Sequence, residues 1–246
     1  MVKDMPKLTK AIILLITYDC NLRCSYCYEP KKAHHKMSAE TAKSCLKKTI
    51  ESLNEDYDSV IVQFMGGEPM LSFNLIKEVS EWIWSQSFKV RVRNVHAPTN
   101  GTILTPDIRE WLKTNKDRFS LALSFDGDRL MQNLNRSSSS DGIDLSFFAE
   151  TFPNVSVKMT LSPATIGHFC EGYKFLIEHG FKQIGPTLAI GDNIGWRKEH
   201  LLIMKHQLDL LVDYFVDHPE IERVGNLALP VWDILYEDAP DHTCRV

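Results

Sequence analysis

Apolar and polar residues alternate along this chain in two rhythms. Candidate strands occupy residues 10–17, 59–65, 89–96, 119–125, 155–161 and 183–190, and several of them are nearly continuous apolar runs. Runs of that length without alternation read as strands covered on both faces. Between them the apolar positions recur at helical spacing. Ser38 is placed to cap a helix reaching about residue 54, with Ala39, Ala42, Leu46, Ile50 and Leu53 on one face. Residues 74–85 and 106–115 read as helices, and Pro106 suits a first turn. The stretch 133–150 predicts one short helix, 168–179 a helix stopped by Gly180, and 198–217 the longest helix. Six strand–helix repeats predict an α/β fold with a parallel sheet and right-handed crossovers. Six such units suit a partial (β/α)6 TIM-like barrel, although the rhythm alone also fits an open doubly wound sheet.

The chain has 246 residues and a formal charge of −4, so no broad basic face favours nucleic acid as a partner. The run 11–16 follows Lys3, Lys7 and Lys10, as in a signal peptide, but it is six residues long and lacks a small-residue cleavage site. It reads as a buried strand. No stretch approaches the roughly 18 apolar residues of a membrane span. The expectation is a cytoplasmic protein.

The six cysteines are unevenly spread: Cys20, Cys24 and Cys27 lie within eight residues, whereas Cys45, Cys170 and Cys244 stand apart. A secreted disulfide framework distributes its cysteines, so this pattern predicts metal binding in a reducing compartment. Cys45 and Cys170 fall in helical patterns and read as buried thiols.

The cluster Cys20-Asn21-Leu22-Arg23-Cys24-Ser25-Tyr26-Cys27 directly follows the first strand. Loops at strand C-termini are where α/β barrels place their chemistry. Three thiolates on one loop suit a soft metal centre. Structural zinc wants four protein ligands, and only His34 and His35 stand near enough to compete. A [4Fe–4S] cluster normally takes four cysteines, so three leave one iron open to a cofactor bearing an amine and a carboxylate.

This CxxxCxxC pattern, with Tyr26 in its aromatic place, resembles the defining motif of the radical S-adenosylmethionine (SAM) superfamily. The resemblance implies Cys20, Cys24 and Cys27 as ligands of a [4Fe–4S] cluster and Tyr26 beside the SAM adenine. Gly66-Gly67-Glu68-Pro69 closes the second strand. Its glycines permit close backbone approach, and Glu68 adds an anion suited to an ammonium group. The segment resembles the family's GGEP motif, which implies that Gly66, Gly67 and Glu68 bind the SAM amino group. Thr99-Asn100-Gly101-Thr102 resembles a segment that lets Asn100 line the site. Ser124-Phe125-Asp126-Gly127 resembles a motif whose serine, here Ser124, contacts SAM. Arg136, twelve residues on, matches an arginine that holds the SAM carboxylate or ribose region; a guanidinium suits a carboxylate by its planar fork. Relatives often carry His-Asp shortly before it, where this chain has Gln132-Asn133-Leu134-Asn135. Leu188 matches a segment that packs on adenine.

The resemblance extends over roughly residues 8–246 and is strongest to peptide maturases with a SPASM or twitch extension, including anaerobic sulfatase-maturating enzymes. It implies a radical SAM core over 1–240 and the start of a truncated extension at 241–246. Cys244 would open a series of cysteines for auxiliary [4Fe–4S] clusters. The implied activity is reductive cleavage of SAM to a 5′-deoxyadenosyl radical, with hydrogen abstraction from a peptide or protein. Flavodoxin or ferredoxin would donate the electron. A small metabolite as substrate, and a zinc-binding structural module, are the alternatives.

Overall fold

The computed structural model describes residues 7–29, 35–191 and 193–221. Cys244, His34 and the expected boundary at 240/241 lie outside the described residues. The fold is α/β, as the rhythm predicts, and the chain divides into two compact units.

The first unit runs through Ser124 and takes in Asp141–Asp144. Its elements are β1 (Leu8–Thr17), α1 (Ala39–Glu51), β2 (Tyr57–Gly66), α2 (Phe73–Ser85), β3 (Arg91–Thr99), α3 (Pro106–Thr114) and β4 (Phe119–Leu123). The strands lie in the order β1-β2-β3-β4, all parallel. Parallel neighbours need a crossover long enough for a helix, and each helix here supplies one.

One face of this sheet is core. Ile12, Leu14 and Ile16 of β1, Val60, Val62 and Phe64 of β2, Val95 and Ala97 of β3, and Phe119, Leu121 and Leu123 of β4 are buried. Each of these side chains except that of Ala97 contributes roughly 1.5–3 kcal/mol through burial. Coverage on both faces does not hold for β1. Ile13 and Leu15, on the opposite parity, are 61% and 43% exposed. The run is apolar on both parities, so the pattern could not reveal that only one side is packed.

Ser38 caps α1 by accepting from Thr41 N–H at 3.1 Å. Ala42, Leu46 and Ile50 form the buried stripe of that helix. Cys45, expected in the core, is exposed because it stands off this stripe. Thr105 caps α3, with Pro106 in its first turn. Trp111 of α3 stacks on Trp84 and meets Phe73 and Phe119 edge-on, tying α2, α3 and β4 together.

The second unit holds α4 (Arg129–Asn135), α5 (Leu145–Thr151), β5 (Val157–Leu161), α6 (Phe169–Glu178), β6 (Ile184–Leu188) and α7 (Lys198–Asp217). β5 and β6 pair in parallel, from Val157 opposite Ile184 to Leu161 opposite Leu188. The stretch expected to hold one helix lies across two, α4 and α5. Asp128 caps α4 by accepting from Met131 N–H at 2.8 Å. The helix stops where Ser137 and Ser138 both turn to φ 53°, a left-handed conformation uncommon outside glycine. Gly127, at φ 91°, must be glycine: a Cβ there would meet Met131 Sδ at 2.7 Å and Gly172 Cα at 3.0 Å. Cys170 is buried in α6, as expected, and its burial pushes the thiol pKa up.

Candidate cluster and cofactor site

The cysteine loop leaves the C-terminal end of β1. Asp19 N–H donates to Thr17 Oγ1 at 3.0 Å, and Cys27 N–H closes a turn onto the Cys24 carbonyl at 3.1 Å. Arg23 Nη1 donates to the carbonyls of Cys20 and Leu22 at 3.0 and 3.1 Å. Leu22, buried, anchors the middle of the loop. Cys20, Cys24 and Cys27 are all part-exposed and none is in a disulfide. The Cys27 thiol lies 3.4 Å from the Glu29 carbonyl. Tyr26 is half-buried beside them. Among the described residues no three His, Cys, Asp or Glu side chains converge on a single metal ion. A [4Fe–4S] cluster makes a different demand, one thiolate on each of three separate irons. His35 contributes to the loop through its carbonyl, which accepts from Tyr18 N–H.

The end of β2 passes against the start of this loop with no room for a side chain. A Cβ on Gly66 would lie 2.3 Å from the Thr17 carbonyl oxygen. One on Gly67 would lie 2.5 Å from that of Asp19 and 2.8 Å from that of Tyr18. The approach is held by Gly67 N–H to Thr17 O at 3.1 Å and Glu68 N–H to Asp19 O at 2.8 Å. These glycines are therefore required by backbone contact between two loops.

Glu68 is 1% exposed. Its Oε1 accepts from Met70 N–H at 3.0 Å and Thr99 Oγ1 at 2.9 Å; its Oε2 accepts from Asn100 N–H at 2.7 Å. The anion that the sequence reading offers to an ammonium group is thus engaged by three donors of the protein. It fixes the loop after β3 against the end of β2. A cavity of about 570 Å³ adjoins the 3-10 turn Pro69–Ser72, lined by Met70, Phe73, Thr105 and Trp111 among others. It contains none of the expected site residues.

Asn100 is buried, and its side chain bonds to Asn21 of the cysteine loop and to Thr102. Asn21 escaped the sequence reading because a polar residue inside a cysteine motif carries no period or spacing of its own. Ser124 is half-buried, and its N–H donates to the Thr99 carbonyl at 2.8 Å. The first unit thus ties the cysteine loop, Gly66–Glu68 and Asn100 together by direct hydrogen bonds and sets Ser124 beside the end of β3.

Arg136 and Leu188 belong to the second unit. Arg136 ends α4, and its Nε lies 3.0 Å from Asp126 Oδ2, with the two side chains 9% and 0% exposed. Asp126 also accepts from Thr160 N–H at 2.8 Å and Asn135 Nδ2 at 3.2 Å, while its own N–H donates to Gln132 Oε1 at 2.9 Å. Gln132 and Asn135 are thus buried partners of the aspartate that pairs with the arginine. Asp126 carries no role of its own in the sequence reading, and its partners lie six to thirty-four positions away. Leu188 ends β6 and is 49% exposed, so it is not a core residue.

The profile of the Radical SAM superfamily matches residues 14–203, well over half of the chain. The chain belongs to the Radical SAM superfamily. A [4Fe–4S] cluster and SAM are the cofactors of that family, and cleavage of SAM is general to it. The radical SAM cyclopropyl synthase TigE of Paramaledivibacter caminithermalis is 26% identical, with 93% of this chain and 50% of TigE covered. A cysteine-type anaerobic sulfatase-maturating enzyme of Clostridium perfringens is 29% identical, with 66% of this chain and 47% of that enzyme covered. The chain spans about half the length of these curated relatives. Among solved structures, native anSMEcpe with bound AdoMet superposes with a TM-score of 0.76 at 20% identity, covering 95% of this chain and 68% of that one. SuiB of Streptococcus suis bound to precursor peptide SuiA gives 0.63 at 15% identity, covering 93% and 51%. At these identities the likeness is one of fold, and it supports the partial-barrel reading of the radical SAM core.

Proposed function

We propose that Cys20, Cys24 and Cys27 each ligate one iron of the [4Fe–4S] cluster, and that the chain acts on a peptide or protein. When bound, the cluster supplies an electron and SAM supplies the 5′-deoxyadenosyl radical that abstracts hydrogen. Gly66 and Gly67 present bare backbone to the cofactor's amino group, while the Glu68 carboxylate sets the position of that backbone. Tyr26, Asn100 and Ser124 line the same edge of the first unit. In the second unit Arg136, ion-paired with Asp126, offers a guanidinium to a carboxylate, and Leu188 offers an exposed apolar surface to an adenine.

The observation that carries the reading is the direct bonding of the cysteine loop to Gly67 and Glu68. A structural zinc module would not need two glycines wedged against its ligand loop. The peptide substrate is supported by the relatives: a cyclopropyl synthase, a sulfatase-maturating enzyme, and SuiB with its precursor peptide.

Anaerobic reconstitution with iron, sulfide, dithionite and SAM tests both parts. The expected result is iron with acid-labile sulfide, and 5′-deoxyadenosine whose formation rises with added peptide. Cys20→Ala, Cys24→Ala and Cys27→Ala should each abolish cluster content. One zinc without sulfide would remove the cluster assignment. 5′-Deoxyadenosine that rises with a small metabolite and never with peptide would remove the peptide assignment alone.

A further inference from the structure

Three side chains close a ring of hydrogen bonds between the cysteine loop and the loop after β3. Asn21 Nδ2 donates to Thr102 Oγ1 at 2.7 Å. Thr102 Oγ1 donates to Asn100 Oδ1 at 2.7 Å. Asn100 Nδ2 donates to Asn21 Oδ1 at 2.8 Å. Each side chain gives one proton to the ring and accepts one. Turning either amide over alone sets donor against donor or acceptor against acceptor. Thr102 N–H, donating to Asn100 Oδ1 at 3.0 Å, fixes the direction, because turning both amides over would set it against Asn100 Nδ2.

The ring also completes a larger circuit. Asn100 N–H is bound to Glu68 Oε2, and Glu68 N–H is bound to the Asp19 carbonyl, one residue before Cys20. Asn21 is one residue after Cys20. The first cluster cysteine is therefore gripped on both sides, once through backbone at Asp19 and once through the ring at Asn21. Asn21 itself is exposed and packs in no core.

We propose that Asn21 and Thr102 are positioning residues for the cluster, holding Cys20 at a set spacing from the backbone of Gly66–Glu68. This role rests on the cluster and SAM assignments made above. Its consequence is specific. Loss of the ring leaves the three thiols available to iron, but lets the cluster loop drift relative to the backbone that receives SAM.

Thr102→Val removes both roles of the hydroxyl at nearly constant volume. Asn21→Asp keeps the acceptor toward Asn100 and replaces the donor toward Thr102. Thr102→Ser keeps the ring. Three readouts are taken: iron and sulfide content after reconstitution, the SAM concentration needed to change the EPR signal of the reduced cluster, and amide hydrogen exchange of the metal-free chain. Thr102→Val and Asn21→Asp should match the parent in iron and sulfide. They should need about tenfold more SAM, as for one lost hydrogen bond. Exchange at residues 20–27 should be several-fold faster, with Thr102→Ser within about twofold of the parent throughout.

An unchanged SAM requirement in both breaking variants would overturn the proposal, even with faster exchange, since the ring would then only support a loop. Equal defects in Thr102→Ser and Thr102→Val would overturn it as well. A parent chain that forms the cluster and shows no SAM response would overturn the cofactor assignment and this role with it. The exchange measurement, made without any cofactor, distinguishes that failure from a ring that does not hold the loop.

Discussion

Replacing Glu68 by glutamine keeps the volume of a buried side chain and removes its charge. The carboxylate serves three donors through two oxygens. Glutamine has one oxygen. Placed at the Oε1 position, it leaves an NH2 group against Asn100 N–H at a separation of 2.7 Å. Placed at Oε2, the NH2 group faces Met70 N–H at 3.0 Å. Thr99 can reverse its hydroxyl and adapt, but a backbone N–H cannot. One charge-assisted bond is lost and one buried donor is stranded, each effect about 1–3 kcal/mol. Partial relaxation brings the expected loss to about 2–4 kcal/mol. For a chain of this size that is a fall of about 5–12 °C in melting temperature. Urea or thermal denaturation of the cofactor-free chain measures it, followed by the fluorescence of Trp82, Trp84 and Trp111 of the first unit. A Glu68→Gln chain within about 0.5 kcal/mol of the parent that fails to bind SAM would refute the reasoning. The carboxylate would then serve the cofactor and not the fold.

Gly66→Ala must displace the Thr17 carbonyl, which a Cβ would approach to 2.3 Å, and is expected to cost more than about 3 kcal/mol and to abolish cluster retention; Gly142→Ala, with nothing within 4 Å of its added Cβ, is the control and should change neither melting nor iron content. Asp126→Ala leaves the Arg136 guanidinium, 9% exposed, facing a missing anion; breaking a buried pair from one side costs about 3–5 kcal/mol, and Asp126→Ala with Arg136→Met should recover part of that in chemical denaturation. Burial pushes the Tyr173 phenol up to about 12. Because the folded state favours the neutral phenol, the second unit should hold this stabilisation below pH 10 and lose it as pH rises toward 12; Tyr173→Phe should remove that part of the alkaline slope in a pH series of melting curves.

The strand–helix rhythm was legible because each β/α unit buries a local stripe. Residues 198–217 read as a helix and are one, from Lys198 to Asp217. Where a cap hides in another motif, the reading falters: Asp128 belongs to a DGD turn and also starts α4, so two helices read as one. The two isolated helical cysteines show the same limit. Cys170 shares its face with Phe169, Tyr173 and Leu176 and is buried, whereas Cys45 sits one residue off the Ala42–Leu46–Ile50 stripe and is exposed. At the site, motif spacing located the loops. It could not give the partnerships of Glu68 with Thr99, Asp126 with Thr160 or Asn21 with Thr102, because those span 31 to 81 residues and no local pattern encodes them.

The order of strands in the first unit also has a consequence in time. Each strand pairs with the one made just before it, so every step of assembly closes a loop of one β/α unit. Such local pairing is fast compared with chain synthesis. The named supports of the cysteine loop, from Thr17 to Thr102, are all in the first half of the chain. At ribosomal speed roughly ten seconds separates Thr102 from the end of α7. These supports of the cysteine loop can therefore form on the ribosome, before the second unit is complete.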